Sequence, residues 1–168
     1  WTNPNEIPNN GEDDDGNGKI DDVRGWDLVG NITQNDALNG SFRQDNNATP
    51  SSNNNYHGTH VAGCASAVTD NGDGIAGIGF KCRLLPIKCS ADNGNVRGIF
   101  NGYEGIIYAA ELGADVINCS WGGPGNSPLE QDVINQAVDM GSVVVVASGN
   151  DGVNIDDGGQ FPAGYDNV

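Results

Sequence analysis

Apolar residues are spread unevenly along this 168-residue chain. Residues 1–56 are polar, dense in Asn, Asp, Gly and Ser, and only "VRGWDLVG" (23–30) offers a short strand-like run. From residue 57 onward the periodicity becomes regular. A helix is expected at 57–69, and "RLLPIKC" (83–89) reads as a buried strand. "RGIFNGYEGIIYAAELG" (97–113) sets Ile99, Tyr103, Ile106, Ile107 and Ala110 on one helical face and stops at Gly113. "ADVINCSW" (114–121) reads as a second strand, "PLEQDVINQAVDMG" (128–141) as a further helix, and "SVVVVASGN" (142–150) as a third strand. Strand, helix, strand, helix, strand is the order of right-handed βαβ units around a mostly parallel sheet, so the fold class is α/β. The four consecutive valines predict a central strand covered on both faces.

In such sheets function sits beyond the carboxyl ends of the strands. Those ends read "KCSADNGN", "CSWGGPG" and "ASGNDG", rich in Gly, Ser and Asn. Main-chain groups in such turns can face a ligand without obstruction, which suits an extended backbone, although ordinary βα turns have the same composition.

Composition narrows the possible partners. The length is that of one domain, with 1–56 a loop-rich acidic part and 57–168 the βαβ core. Gly (26) and Asn (23) are abundant, and the net charge of −16 comes from eighteen Asp and five Glu against seven Lys plus Arg. That balance excludes a nucleic-acid partner, whose phosphates need basic groups. It permits calcium, for which clustered Asp is the usual ligand. No run is long and apolar enough for a membrane helix. Cys64, Cys82, Cys89 and Cys119 lie in apolar or small-residue segments without CxxC spacing, which favours buried free thiols over a disulfide framework.

Two clusters carry candidate chemistry. In "NNNYHGTHVAGCASAV" (53–68), His57, His60 and Cys64 share a helical face, so a transition-metal site is one reading, weakened by the lack of an HExxH glutamate or a fourth ligand. A packing role for either histidine is another. A third gives His57 the role of general base at the helix mouth while His60 is held inside the fold. In "EDDDGNGKIDD" (12–22), Asp13, Asp15 and Asn17 alternate as in the first half of a calcium loop, Gly18 permits the turn, and the Lys19 carbonyl occupies the next ligand position. Arg24 stands where an EF-hand needs Glu, so Asp21 or Asp22 would close a different oxygen cage.

"HGTHVAG" (57–63), "INCSWGGP" (117–124) and "VVVVASGNDG" (143–152) resemble three signature segments of the subtilisin-like serine peptidases, in that family's order and near its spacing. "DGIAGIG" (73–79) and "FPAGYDNV" (161–168) resemble further segments, and residues 1–29 resemble an acidic insertion with bound calcium found in a subset of the family. The resemblance implies a three-layer subtilisin-like fold and the following roles. His57 would be the general base and His60 structural. Asn150 would donate to the oxyanion of the tetrahedral intermediate. Ser120, Trp121 and Gly122 would line the primary specificity pocket, and Asn93, Gly94 and Asn95 would form the opposing edge, so that substrate adds as a strand. Asp70, in "VTDNGDG" (68–74), stands at a ligand position of a second calcium loop. The polar stretch before His57 would leave it open to substrate, and Gly58, Ala62 and Gly63 would pack the helix tightly.

Two family segments have no counterpart here: the Asp-Thr-Gly or Asp-Ser-Gly triplet that carries the catalytic aspartate, and the Gly-Thr-Ser-Met segment that carries the serine. The only methionine is Met140, and no GxSxG elbow replaces it. The resemblance therefore implies the middle portion of a peptidase domain, incomplete at both ends, from a secreted endopeptidase acting on polypeptide. Flanking segments of the same peptidase would complete it. A calcium-stabilised polypeptide-binding module without catalysis is the alternative.

Overall fold

The computed structural model describes residues 1–51 and 56–168. The chain forms two compact units, Trp1–Asn101 and Gly102–Val168. The boundary does not fall at the change of texture near residue 56, because a strand before that point pairs with one after it.

In the first unit, β1 (Trp26–Asp27) pairs in parallel with β2 (Ile87–Lys88), Trp26 opposite Ile87 and Asp27 opposite Lys88. The expected strand over 83–89 shrinks to its last part. Pro86 has no N–H to give a ladder, and only its carbonyl is used, by Trp26 N at 3.2 Å. Gly25 makes that approach possible: at φ 108°, a Cβ there would lie 2.0 Å from Pro86 O. Pairing continues irregularly through Leu28 N to Lys88 O (2.9 Å) and Asp92 N to Gly30 O (3.0 Å). Trp26, Leu28, Val29, Ile32, Ala91 and Val96 are the buried apolar residues on these segments. A short helix, α1 (Gln34–Leu38), starts at a capping box in which Thr33 and Asp36 satisfy each other's backbone N–H groups.

The helix expected at 57–69 is present as α2 (Tyr56–Ser66). Residues 53–55, expected to leave His57 open, lie outside the described residues. The loop after α2 folds back on its last turn, with Ile78 N on Cys64 O (3.1 Å) and Gly79 N on Ala65 O (2.7 Å). None of the α2 residues is buried. His60 is therefore exposed rather than held inside, and Gly58 is exposed with Ala62 and Gly63 half-buried rather than tightly packed. A helix built of Gly, Ala, Thr and Cys carries little apolar area with which to drive its own burial.

The second unit is more regular. It contains α3 (Gly102–Glu111), β3 (Val116–Cys119), α4 (Pro128–Asp139) and β4 (Val143–Val146). β3 and β4 are parallel, in register from Val116 opposite Val143 to Cys119 opposite Val146, with α4 as the crossover. α3 and α4 pack on each other and on this pair, burying Ile106, Tyr108, Ala109 and Ala110 from one helix and Ile134 and Ala137 from the other. The strands alternate: Ile117, Cys119 and Val144 are buried, while Val143 and Val145 are 58% and 45% exposed. The valine run is thus covered on one face, not two, because both helices that reach these strands lie on the same side as Ile117 and Val144. Among the described residues no helix is long and apolar enough to cross a membrane.

All four cysteines are free, as expected, but only Cys119 is buried; Cys64 and Cys82 are exposed and Cys89 is half-buried. Both exposed thiols belong to the poorly covered α2 region. Burial pushes the Cys119 thiol up to about 12, so at neutral pH it is protonated and inert. Ellman titration of the native 168-residue chain should release Cys64 and Cys82 rapidly and Cys119 only in denaturant, and mass mapping of the modified cysteines checks the assignment.

Candidate functional site

His57 lies on the first turn of α2 with its side chain exposed. His60 and Cys64 follow on the same helix, yet the metal-capable group found among the described residues includes none of the three. In the same unit, Asn93 and Gly94 are half-buried and Asn95 is exposed, at the tip of a turn closed by Val96 N on Asn93 O (2.9 Å) and Asn95 N on Asn93 Oδ1 (3.1 Å). Buried Ala91 and Val96 anchor it on both sides.

In the second unit, the parallel register brings two of the singled-out segments together. Ala147 N reaches Cys119 O at 3.1 Å, so β3 and β4 end side by side and release residues 120–122 and 148–150 at the same edge. Asn118 Nδ2 donates to Ser120 Oγ at 2.9 Å, which occupies that hydroxyl as an acceptor. Gly122 and Asn150 are exposed and Trp121 is half-buried. Trp121 sits edge-to-face with Tyr103 (5.5 Å), which also meets Tyr165 (6.4 Å). The Tyr165 hydroxyl donates to Glu130 Oε2 at 2.6 Å and accepts from Ser127 N at 3.0 Å. Burial and the Glu130 carboxylate raise both tyrosines above the ordinary phenol value, so they stay neutral.

Sequence reasoning missed Gln160. A Cβ on Gly122 would lie 3.3 Å from Gln160 Oε1, and one on Gly149 would lie 3.1 Å from Gln160 Nε2. The same amide donates to Asp151 Oδ2 at 3.3 Å. Gln160 therefore fills the space between the two strand-end loops of this unit. The neighbouring bridge, Gly123 N to Phe161 O (3.0 Å) and Phe161 N to Gly123 O (2.8 Å), fixes its position. Its only sequence signal is adjacency to "FPAGYDNV".

The acidic segment brings Asp13 and Asp15 together with Glu6, their oxygens within 4.8 Å of one another. Glu6 is 6% exposed. Its Oε1 accepts Asp14 N (2.9 Å) and Asp15 N (3.3 Å), whereas Oε2 is buried with no hydrogen-bond partner. Asp13 accepts from the N–H groups of Gly16, Asn17 and Gly18, and Asn17 Oδ1 accepts from Lys19 N (2.8 Å). Asp22 is fully buried and receives the amides of Asn3 (2.7 Å) and Asn17 (2.9 Å). Asp21 turns to Asn10 N and Gly11 N instead. The Lys19 ammonium lies over the Trp26 ring at 5.6 Å. An orphaned buried carboxylate oxygen beside two further carboxylates is a site that a hard cation fits. Asp70, exposed at φ 58°, is not part of this cluster; it lines an open cavity of about 420 Å³ with Ser66, Thr69, Phe80 and Cys82.

Comparison with known proteins gives a consistent result. A model described as the subtilase family matches residues 15–168. Thermitase from Thermoactinomyces vulgaris is 42% identical over 153 residues, 90% of this chain and 46% of that protein. A thermophilic serine proteinase from Bacillus sp. (strain AK1) is 43% identical over 126 residues, 74% of this chain and 30% of that protein. Among solved structures, a protease from Pseudoalteromonas arctica PAMC 21717 superposes with a TM-score of 0.68 at 29% identity, over 86% of this chain and 48% of that one. The chain thus spans less than half the length of each of these relatives.

The Gln160 wedge makes a stability prediction. Gly149 has φ 89° and its missing Cβ faces the Gln160 amide, so Gly149→Ala should cost about 1–3 kcal/mol. Adding Gln160→Ala should return only the steric part of that loss. Urea unfolding of the two single variants and the double variant gives the coupling.

Proposed function

The chain belongs to the subtilase family, and on that footing we propose that it is part of a secreted serine endopeptidase that hydrolyses peptide bonds of extended polypeptide. One observation carries the reading: parallel β3 and β4 release the Ser120 and Asn150 segments at one edge, and these follow the His57 helix in the family's order. His57, exposed on α2, takes the proton of a serine hydroxyl as it attacks the scissile carbonyl, then returns it to the leaving amine. The Asn150 side-chain N–H donates to the oxyanion formed in that attack. Main-chain groups at Ser120, Trp121 and Gly122, and separately at Asn93, Gly94 and Asn95, hold extended substrate by strand-like hydrogen bonds. The serine and the aspartate that orients His57 come from segments of the protein outside residues 1–168.

Calcium belongs to the same reading. Glu6, Asp13 and Asp15 would hold it, with Asn17 Oδ1 and the Lys19 carbonyl as further oxygen donors, while Asp21 and Asp22 shape the loop through their hydrogen bonds. Glu6 Oε2 supports this assignment, because a buried polar oxygen without a partner costs stability until a cation satisfies it. The ion supplies positive charge among mutually repelling carboxylates. Bound there, it would stabilise the loop. Asp70 would contribute to a second ion through its own loop, mostly with carbonyls. A secreted protein meets the millimolar calcium that such sites use.

Two sets of measurements test the proposal. In the full-length protein carrying this chain, His57→Ala should lower kcat by about 10⁴–10⁶-fold with an unchanged melting temperature. Residues 1–168 alone should show neither casein hydrolysis nor labelling by a serine-directed fluorophosphonate. Adding the flanking segments in trans should restore labelling; polypeptide binding without labelling even in the full-length protein would favour the non-catalytic module.

For calcium, chelation should remove about 3–4 kcal/mol of stability, the linkage term when free calcium exceeds Kd by a hundred- to a thousandfold. Glu6→Gln and Asp13→Ala should each blunt that response, read as the shift in melting temperature between calcium and EGTA. Equal melting in both conditions for the unsubstituted protein would remove calcium from the account.

A further inference from the structure

Lys88 ends β2 with a side chain only 6% exposed, and each of its three ammonium hydrogens has an acceptor. Asp27 Oδ2 lies at 2.6 Å, the Ser90 carbonyl at 2.7 Å and Asp92 Oδ1 at 3.0 Å. Both carboxylates are engaged further. Asp27 Oδ1 accepts Val29 N and Gly30 N, each at 2.9 Å, and so sets the exit of β1. Asp92 Oδ1 accepts the Ser51 hydroxyl at 2.7 Å, while Asp92 N reaches back to Gly30 O at 3.0 Å. Phe100 N on Cys89 O (2.7 Å) closes the loop that lies between. Burial works against the Asp92 charge, but the bonds from Ser51 and Lys88 outweigh it and hold that carboxyl below its ordinary value.

The geometry of the network differs from that of a stabilising core pair. An ion pair taken out of water contributes little net stability over apolar side chains of the same size. What this one supplies is direction: a single ammonium ties the exit of β1 to the root of the turn that presents Asn93, Gly94 and Asn95. We propose that Lys88, with Asp27 and Asp92, is a positioning residue that holds residues 93–95 in the register needed to pair with extended substrate. This rests on the peptidase reading above, because it assigns the 93–95 turn to substrate. Lys88 touches no substrate itself. Its effect is confined to substrate long enough to lie along that turn, and the chemistry at a short substrate does not pass through it.

The test uses the full-length protein and a series of chromogenic peptides with one to four residues before the scissile bond, comparing the unsubstituted enzyme with Lys88→Met, Lys88→Arg and Asp92→Asn. The unsubstituted enzyme should gain kcat/KM with each added residue. Lys88→Met and Asp92→Asn should lose that gain, about 10- to 100-fold on the longest peptide, chiefly in KM, while the shortest changes by less than about twofold. Lys88→Arg should recover part of the gain, since it keeps the charge with a different fork. Fluorophosphonate titration should give a full count of active sites in each variant.

Parallel losses at every peptide length, an unchanged length dependence, or failure of both Lys88→Met and Asp92→Asn to fold would each assign the network to stability alone and overturn the proposal. If the unsubstituted enzyme neither cleaves nor labels, the peptidase reading fails and this inference goes with it. If it cleaves without any gain from added residues, the peptidase reading stands and this inference alone is overturned.

Discussion

Every backbone N–H that leaves water must find an acceptor, and in the first unit that need governs the rest. Its strands are two residues long, so ladders satisfy few of these groups. Side chains take their place. Asp13 accepts three successive N–H groups, Glu6 two, Asp27 two and Asp21 two. An Asp carboxylate is short, rigid and double-ended, which makes it suited to gathering N–H groups in a turn. The Asp residues of this unit thus serve both as turn acceptors, several of them for exposed N–H groups, and as surface charge.

That solution has an electrostatic consequence. Carboxylates recruited to neighbouring turns accumulate charge faster than the few cations can offset it, and the polar N–H groups they accept carry only partial charge. At Glu6, Asp13 and Asp15 three carboxylates bring oxygens within 4.8 Å of one another, with lone pairs left over from the N–H bonds. A hard cation is the group that can use those lone pairs while the N–H bonds persist, since each oxygen can both accept and ligate. The Lys88 cluster solves the same problem covalently within the chain: there the cation is a side chain, so its position is set by β2 and does not depend on ion concentration.

Legibility in the sequence followed the source of order. The second unit is held by apolar packing of helices on a parallel pair, and two of its elements lie close to their expected bounds, α4 at Pro128–Asp139 against 128–141 and β4 at Val143–Val146 inside 142–150, whereas α3 begins at Gly102 rather than near 97 and leaves Ile99, expected on its apolar face, outside the helix and 46% exposed. Periodicity reports that kind of order directly. It reports little about the first unit, where contacts run between side-chain oxygens and distant N–H groups. Glu6 lies outside the Asp-rich run, and nothing in "NEIPNN" marks it as facing Asp13. The strand at 83–89 failed at Pro86, whose missing N–H outweighed the apolar run around it. α1 was overlooked although Thr33 and Asp36 have capping spacing, because a helix of five residues has no period to detect. Among candidate site residues, His57, Ser120 and Asn150 were singled out through motif and strand order. Gln160 was not, since its place depends on a bridge between Gly123 and Phe161 that no local pattern encodes.

The same physics explains why the candidate chemistry sits on the irregular segments. A regular strand consumes its own N–H and C=O groups in the ladder and has none left to offer a peptide. Where β3 and β4 stop pairing after Ala147, the main chain of residues 148–150 and of 120–122 becomes available at a fixed place, because the four-residue register beneath it is rigid. In the first unit a two-residue pair cannot supply comparable rigidity to residues 93–95. On the role proposed for it, the buried Lys88 ammonium ties the root of that turn to β1 through charge-assisted bonds, with Asp92, at 26% side-chain exposure, as the more accessible end. On the proposed reading the two segments are therefore held by different means, packing in one unit and a charged network in the other. Substitutions that leave apolar burial untouched should for this reason loosen the 93–95 turn while leaving the ends of β3 and β4 in place.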